Sequence, residues 1–218
     1  MMNFNRINLS DWHRKEYFEH YLDQQTTFSM TSEIDISILY KNIKKLNFKF
    51  YPAFIYMVTN VVNSNTAFRK SFDNEGYLGY WEKLHPSYTI FDDSSETFSS
   101  IWTEITDSFK QFHKDYEEDV NTYKGVGGLF PKSPVPNNTV PISMIPWSSF
   151  TAFNLNINNG GNFLFPIITA GKFIKKDDGI FLPVALQVHH AVCDGYHAGL
   201  FMNSLQSLSD HSHEWLSK

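Results

Sequence analysis

The sequence has a single cysteine, no excess of basic residues and no long hydrophobic run. One Cys excludes internal disulfides and is typical of a reducing cytosol. With 18 Lys and Arg against 23 Asp and Glu, the net charge of −5 gives no electrostatic basis for binding nucleic acid or an anionic membrane. Residues 1–30 contain no apolar signal core, and no apolar stretch approaches the roughly 20 residues of a membrane helix. We therefore expect a cytoplasmic protein.

The chain also lacks internal repeats, low-complexity tracts and a glycine-rich phosphate loop. Its 218 residues are enough for one sizeable core, so residues 1–218 are expected to form a single domain. Aromatic residues are abundant, at 17% of the chain with 20 Phe and 11 Tyr. Bulky rings suit a thick core of sheet and helices, and they also suit a pocket for an aromatic ligand.

Hydrophobic spacing alternates between helical and strand periods along the chain. Ser10 is expected to cap the first helix, and Pro52 to open the third. The predicted helices cover Asp11–Leu22, Asp35–Leu46, a segment from Pro52 through Val62, Thr106–Tyr123 and Tyr196–Leu208. The predicted strands cover Thr26–Thr31, Tyr80–Trp81, Tyr88–Phe91, Thr97–Trp102, Ile142–Trp147, Ala152–Ile157, Phe163–Ala170 and Ile180–His190. This interleaved order predicts the α/β class, with a single two-layer mixed β-sheet and helices packed on one face.

The most informative segment is Val188–Gly195, which reads VHHAVCDG. The apolar run before it predicts a buried strand that ends at two histidines, and a helical pattern starts just after the glycine. An imidazole at the end of such a strand is rigidly held, lies close to solvent and titrates near neutral pH, as a general base must. Successive strand side chains point to opposite faces, so only one of His189 and His190 can serve a site. His190 is the candidate base, and the alternative is a hydrogen-bonded core histidine.

Asp194 follows His190 by four residues, in the predicted turn where Gly195 gives backbone freedom. Its carboxylate could orient the imidazole directly or pair with a distant arginine, and the sequence leaves both open. Cys193 and His197 extend this segment to four metal-ligand side chains, but no second cluster supplies matching ligands, so no metal is expected. Cys193 also lies next to a carboxylate, which raises a thiol pKa, and packing is therefore preferred to a nucleophilic role.

Ser143 is a lone hydroxyl in an apolar predicted strand. A buried serine usually hydrogen-bonds to its own backbone. A fixed hydroxyl could also donate to a developing oxyanion, where it has the greatest effect on rate. No G-x-S-x-G elbow surrounds Ser143, so the sequence does not indicate a nucleophile.

Taken together, motifs along residues 12–208 resemble the chloramphenicol acetyltransferase family of the trimeric type. The strongest match is QVHHAVCDG, at Gln187–Gly195. The supporting matches, in the family's order, are Trp12–Glu16, Lys49–Pro52, Glu96–Ser99, Leu129–Pro131, Pro146–Trp147 and Phe153–Asn156. The bare H-H-x-x-x-D-G pattern is shared with dihydrolipoyl acyltransferases and peptide-synthetase condensation domains. The resemblance implies a fold like that of the coenzyme A-dependent acyltransferases.

The resemblance implies direct transfer of an acetyl group from acetyl-CoA, as co-substrate, to a hydroxyl of chloramphenicol. His190 would take the hydroxyl proton and Ser143 would stabilise the oxyanion, with Thr169 assisting through a water molecule. Asp194 would pair with Arg14 and support the turn. The implied drug pocket consists of Tyr21, Phe28, Phe98, Phe130, Phe153 and Leu155. The implied coenzyme contacts are Tyr51 and Phe173, the latter at a position where most family members carry Tyr.

The size of the chain adds an expectation about assembly. Related condensation enzymes fuse two such lobes and build their site between them, so one lobe implies a homotrimer with active sites between subunits. Two alternatives remain. An acyltransferase acting on another hydroxyl or thiol acceptor, like the dihydrolipoyl enzymes, usually carries lipoyl modules and Ala/Pro linkers, and none is seen before Asn3. A non-catalytic protein of the same fold that sequesters a ligand would need a broken site, yet His190 and Ser143 are present.

Overall fold

In the residues that the structure describes, five α-helices accompany a mixed β-sheet. The computed structural model describes residues 3–155 and 162–218. The helices are α1 Lys15–Asp23, α2 Ser37–Leu46, α3 Phe50–Ser64, α4 Phe109–Tyr123 and α5 Gly195–Asp210. The strands are β1 Phe4–Arg6, β2 Thr27–Asp35, β3 Lys70–Phe72, β4 Leu78–Trp81, β5 His85–Asp92, β6 Thr97–Trp102, β7 Thr139–Met144, β8 Ile167–Ala170, β9 Ile174–Lys176 and β10 Gly179–His189. Short 3₁₀ helices lie at Thr66–Arg69 and Ser212–Glu214.

Seven strands form the main sheet, in the order β2-β10-β8-β7-β5-β6, with β9 paired to the start of β10. Strand β7 runs parallel to β5 and β8, whereas β10 is antiparallel to each of its neighbours. The predicted mixed-sheet α/β class is therefore confirmed. A separate three-stranded antiparallel sheet has the order β1-β4-β3. Its strand β4 contains the predicted strand Tyr80–Trp81, whereas β1 and β3 were not predicted, because three residues are too few to show a period.

The two faces of the main sheet have different surroundings. On β10, the side chains of Val184, Leu186 and Val188 belong to the hydrophobic core, to which all five helices contribute. Ten of the 15 residues of α3 are buried. Ala185 and Gln187 alternate with these residues and point to the opposite face. That second face, away from the core, carries polar side chains that are described below.

Several predicted boundaries are wrong for identifiable reasons. Helix α1 begins at Lys15, because the hydroxyl and N–H of Ser10 donate to Asn8 in a local turn instead of capping a helix. Asp35 ends β2, and its carboxylate accepts the N–H of Ser37 at the start of α2. Pro52 lies in the first turn of α3, where its missing N–H would have no helical partner.

The region between β7 and β8 also departs from prediction. Residues 152–155 of the predicted strand Ala152–Ile157 are irregular, and its residues 156 and 157 lie outside the described residues. The strand predicted at Phe163–Ala170 starts only at Ile167. Within residues 3–155 and 162–218, no helix has the length and apolar character needed to cross a membrane.

Candidate active site

His190 lies immediately after β10, and its backbone N–H donates to the carbonyl of Thr26 at 2.8 Å, which continues the ladder with β2. Its ring stacks on Tyr21, with 3.8 Å between ring centroids and 3° between planes, and meets the edge of Phe28 at 5.2 Å. The residue is half-buried. Its Nδ1 is buried and has no hydrogen-bond partner among the described residues.

His189 points to the other face and has a different environment. Its side chain is buried, and its Nδ1 accepts the N–H of Ala191 at 3.1 Å. Burial, with a smaller contribution from the neighbouring His190, lowers the pKa of His189 and favours the neutral imidazole. His189 is thus a packed side chain, as expected for one member of the pair.

Asp194 is held at the start of α5 by three donors, Arg14 Nη1 and the backbone N–H groups of Tyr196 and His197. Its Oδ2 accepts a hydrogen bond from Arg14 Nη1 at 2.9 Å. Its Oδ1 accepts the N–H of Tyr196, which caps the helix, and lies 2.9 Å from His197 Nδ1. Partial burial raises the pKa of Asp194, but the hydrogen bonds from Arg14 and His197 outweigh it and lower that pKa to about 2. Of the two roles left open by the sequence, the structure shows the pair with Arg14 and no bond to His190.

The cysteine and metal alternatives find no support in the geometry. Cys193 is fully buried with Sγ 3.5 Å from the carbonyl oxygen of Ala67, and burial raises the pKa of its thiol to about 12. A thiol in that state is not a nucleophile at neutral pH. His197 is engaged with Asp194. In the part of the chain that the structure describes, no group of three or more His, Cys, Asp or Glu side chains is arranged around a possible metal ion.

Ser143 and Thr169 form a second centre, separate from the one around His190, on the face of the main sheet that points away from the core. Their hydroxyl oxygens are 2.9 Å apart on the adjacent strands β7 and β8. The strand register aligns both with Ala185 on β10, five residues before His190. His190 therefore lies roughly 17 Å along β10 from this level, and Ser143 lies two strands, or roughly 10 Å, across it. Within one chain the two groups are far beyond hydrogen-bonding reach of a common atom.

The predicted pocket residues divide between these two centres. Tyr21 and Phe28 contact His190 in the same chain. Phe153 and Leu155 line a narrow gap over Thr169, where the Leu155 N–H donates to Gln187 Oε1 at 2.7 Å. The remaining two, Phe98 and Phe130, are about half exposed at the β6 edge.

Phe98 can be assigned to a face of the sheet from the register. Tyr88 pairs with both Ile101 and Ile142, and all three face the core. Phe98 is three residues before Ile101, an odd interval, so it points to the same outer face as Ser143. Asn156, the last residue of one supporting motif, lies outside the described residues.

The two residues predicted to contact the coenzyme lie in different environments. Tyr51 packs edge-on against Tyr88 and Tyr116, and burial raises the pKa of its hydroxyl to about 12. Phe173 is half-buried and its ring lies 5.6 Å from that of Tyr40. Both assignments stay predictions.

Two residues near the site were missed by sequence reasoning. His197 was considered only as a metal ligand, although the third residue of a helix with an N-cap aspartate is the usual place for a reciprocal cap. Its Nδ1 accepts the N–H of Asp194 at 3.3 Å. Lys70 is buried close to Arg14 and Cys193, with Nζ 5.5 Å from the centre of the Trp12 ring. No sequence signal marks Lys70, because β3 has only three residues.

Structural comparison first defines the class. A solved chloramphenicol acetyltransferase structure superposes with a TM-score of 0.82 at 21% identity, covering 94% of this chain and 99% of its own. A dihydrolipoamide acetyltransferase structure from Azotobacter vinelandii gives a TM-score of 0.68 at 14% identity, covering 92% and 88%. The chain thus has the fold of the coenzyme A-dependent acyltransferases.

Sequence comparison then identifies the family. The family model described as chloramphenicol acetyltransferase matches residues 2–206. A chloramphenicol acetyltransferase of Staphylococcus aureus is 64% identical over 215 residues, which are 99% of this chain and 100% of the relative. Another from Clostridium butyricum is 52% identical over 216 residues, 99% of each chain. The chain belongs to the chloramphenicol acetyltransferase family, and the family and enzyme class predicted from its motifs are confirmed.

Proposed function

We propose that this protein transfers the acetyl group of acetyl-CoA to a hydroxyl of chloramphenicol and so inactivates the antibiotic. The observation that carries the proposal is the half-buried imidazole of His190, fixed at the end of a core strand in a chain of this family. The rigid Arg14–Asp194 pair supports it, because it holds the turn that follows the imidazole. A cytoplasmic location, where acetyl-CoA is made, accords with the single reduced cysteine.

In the proposed reaction His190 acts as the general base. Nε2 takes the proton of the acceptor hydroxyl while the hydroxyl oxygen attacks the acetyl carbon, and the carbon–sulfur bond of the thioester then breaks. The proton passes from Nε2 to the departing coenzyme A thiolate. The acceptor hydroxyl attacks the thioester directly, so both substrates are bound together and no acetyl-enzyme forms. A base in this role is worth roughly 10²–10⁴-fold in rate.

Ser143 is the proposed donor to the oxyanion that develops on the acetyl oxygen. A hydroxyl has one proton, so Ser143 can donate to the oxyanion only if Thr169 donates in the bond between them. The buried Thr169 hydroxyl is oriented by this bond before the substrate arrives. Fixed donors aimed at developing charge need no reorganisation during the reaction, which is why they lower the barrier.

A homotrimer with shared sites is proposed because one chain does not bring its two centres together. His190 and Ser143 are separated along and across the sheet by the register estimate given above. A second copy can present its His190 to the outer face that carries Ser143. The half-exposed Phe98, Phe130 and Leu155 on or beside that face would then be covered by the neighbour and the acceptor. Tyr51 and Phe173 are retained as proposed coenzyme contacts.

The direct test is coenzyme A thiol release by the purified protein incubated with acetyl-CoA and chloramphenicol. We expect release that requires chloramphenicol and that falls by at least 10²-fold in a folded His190→Ala variant. Release that depends on dihydrolipoamide instead would identify a thiol acceptor. Tight chloramphenicol binding without release would identify a sequestering protein, and either result would refute the proposal.

A further inference from the structure

Lys132 is tied to the rest of the molecule through both its side chain and its backbone. Its Nζ lies 2.6 Å from Asp119 Oδ1 on α4 and 4.4 Å from the centre of the Trp102 ring on β6. The Nε1–H of Trp102 donates to the Lys132 carbonyl at 3.2 Å. Both charged side chains are less than a fifth exposed. This is a partly buried ion pair with a cation–π contact, in which solvent screening is much weaker than on an open surface.

The carboxylate of Asp119 is itself fixed from the interior. Its Oδ2 accepts the hydroxyl of Thr103 at 2.6 Å, and Thr103 lies 2.7 Å from the hydroxyl of the fully buried Tyr88. A carboxylate only accepts, so Thr103 donates to Asp119 and Tyr88 must donate to Thr103. Burial raises the pKa of Tyr88, which keeps its proton in place for this role. Hydrogen bonds thus connect the core to the Asp119 carboxylate, which accepts from Thr103 on one oxygen and from Lys132 on the other.

Lys132 is the last residue of the glycine-containing segment 125–132, which we expect to be mobile without these contacts. Gly125, Gly127 and Gly128 all have positive φ angles, which glycine adopts without strain and which give the unfolded segment high entropy. Along its length, Ser100 N–H donates to the Leu129 carbonyl and Ser99 donates to the Gly128 carbonyl, both at 2.7 Å. These bonds hold the segment to β6, and the Asp119–Lys132 pair holds its far end to α4. Phe130 lies between the two attachments.

We propose that Asp119 and Lys132 form a latch that fixes the segment carrying Phe130 against β6. Through Phe130, both are positioning residues for the acceptor, and neither is proposed to touch it. This second part rests on the proposed function, in which Phe130 borders the chloramphenicol pocket.

The test compares Lys132→Met and Lys132→Arg with a matched control, Lys114→Met. Lys114 forms an exposed ion pair with Glu118 on the same helix, so its removal makes the same charge change without affecting the latch. Amide hydrogen exchange of residues 125–130 reports on the segment, and steady-state KM values report on positioning. For Lys132→Met we expect exchange roughly 10-fold faster and a KM for chloramphenicol roughly 10-fold higher. The KM for acetyl-CoA should stay within about twofold, and Lys132→Arg should largely restore wild-type values.

Unchanged exchange in Lys132→Met would overturn the latch. Faster exchange with an unchanged KM for chloramphenicol would overturn the positioning role. Should Lys132→Met fail to fold, Asp119→Asn removes the same ion pair with a smaller change of shape and is judged by the same two readouts. If the wild-type protein does not acetylate chloramphenicol, the proposed function fails, while hydrogen exchange still decides the latch independently.

Discussion

Ser143 and Thr169 share one hydrogen bond, and this bond determines where each hydroxyl proton can point. Replacing Ser143 by Ala removes the proposed oxyanion donor but leaves the sheet intact. We expect a loss of about 2.7–4 kcal/mol of transition-state stabilisation, seen as a roughly 10²–10³-fold lower kcat. Ser148→Ala, at an exposed serine in the following loop, is the matched control. A decrease of less than about tenfold in Ser143→Ala would exclude the oxyanion role.

Lys70 illustrates a residue whose charge opposes folding. Burial, together with the positive charges of Arg14 and Arg69, lowers the pKa of Lys70 to about 8. Its folded pKa is below its unfolded pKa, so the unfolded chain binds more protons between pH 8 and 10.5 and stability rises with pH in that range. Lys70→Met should therefore raise the free energy of unfolding at pH 7 by roughly 1–3 kcal/mol.

Urea unfolding at several pH values measures this effect. The gain of Lys70→Met should shrink above pH 8 and vanish near pH 10.5. Lys45→Met, at an exposed position on α2, should change stability by less than about 0.5 kcal/mol. A Lys70→Met protein that is less stable than wild type at pH 7 would show that the contact with the Trp12 ring outweighs the cost of burial.

At the scale of elements, the start of α5 depends on the charge of Asp194. Its folded pKa of about 2 is below the unfolded value, so its contribution is present at neutral pH and is lost as the pH falls through about 2. Asp194→Asn keeps a capping oxygen but leaves Arg14 unpaired. We expect about 1–2 kcal/mol lower stability at pH 7, discounted for partial exposure, and a lower kcat. Thermal unfolding between pH 2 and 7 checks this, and a difference that persists undiminished at pH 2 would contradict it.

The elements with a long hydrophobic period were predictable from the sequence. The strand that ends just before His190 and the helices α2 and α5 follow from spacing alone, because each has one clear apolar face or run. The helix boundaries near Ser10 and Asp35 were not predictable, since a short polar side chain can cap a helix or close a local turn with similar energy. The β1-β4-β3 sheet was missed because pairing between distant short strands leaves no local pattern.

The residues of the candidate site also divide into those that the sequence pattern indicated and those that it did not. His190 and Asp194 were found because strand, turn and helix signals meet within eight residues, Val188–Gly195. The partner of Asp194 could not be deduced from spacing, because Arg14 lies 180 residues away, and it came only from the family resemblance. Lys70 gave no signal at all, since burial of a lysine depends on the packing of several elements.

At the scale of the whole molecule, assembly can be tested by mixing two inactive variants. Chains carrying His190→Ala and chains carrying Ser143→Ala are co-expressed at equal levels, so that roughly three quarters of the trimers are mixed. In the proposed arrangement, each mixed trimer would contain one junction at which an intact His190 meets an intact Ser143. We expect about a quarter of wild-type activity from the mixture, although each variant alone is nearly inactive.

Two controls accompany this measurement. Mixing the separately purified variants without subunit exchange should give no recovery, and size-exclusion chromatography should give the mass of three chains. Absence of recovery in verified hybrids would mean that each chain contains a complete site, and the register estimate of the separation would then be wrong.

The distance between His190 and Ser143 has a consequence for the cell. If the site is shared between subunits as proposed, a newly synthesised chain would keep its own His190 and Ser143 too far apart to act on one thioester. Such a chain would not consume acetyl-CoA until it associates with other copies. Resistance should then switch on steeply with expression level, once enough chains exist to associate.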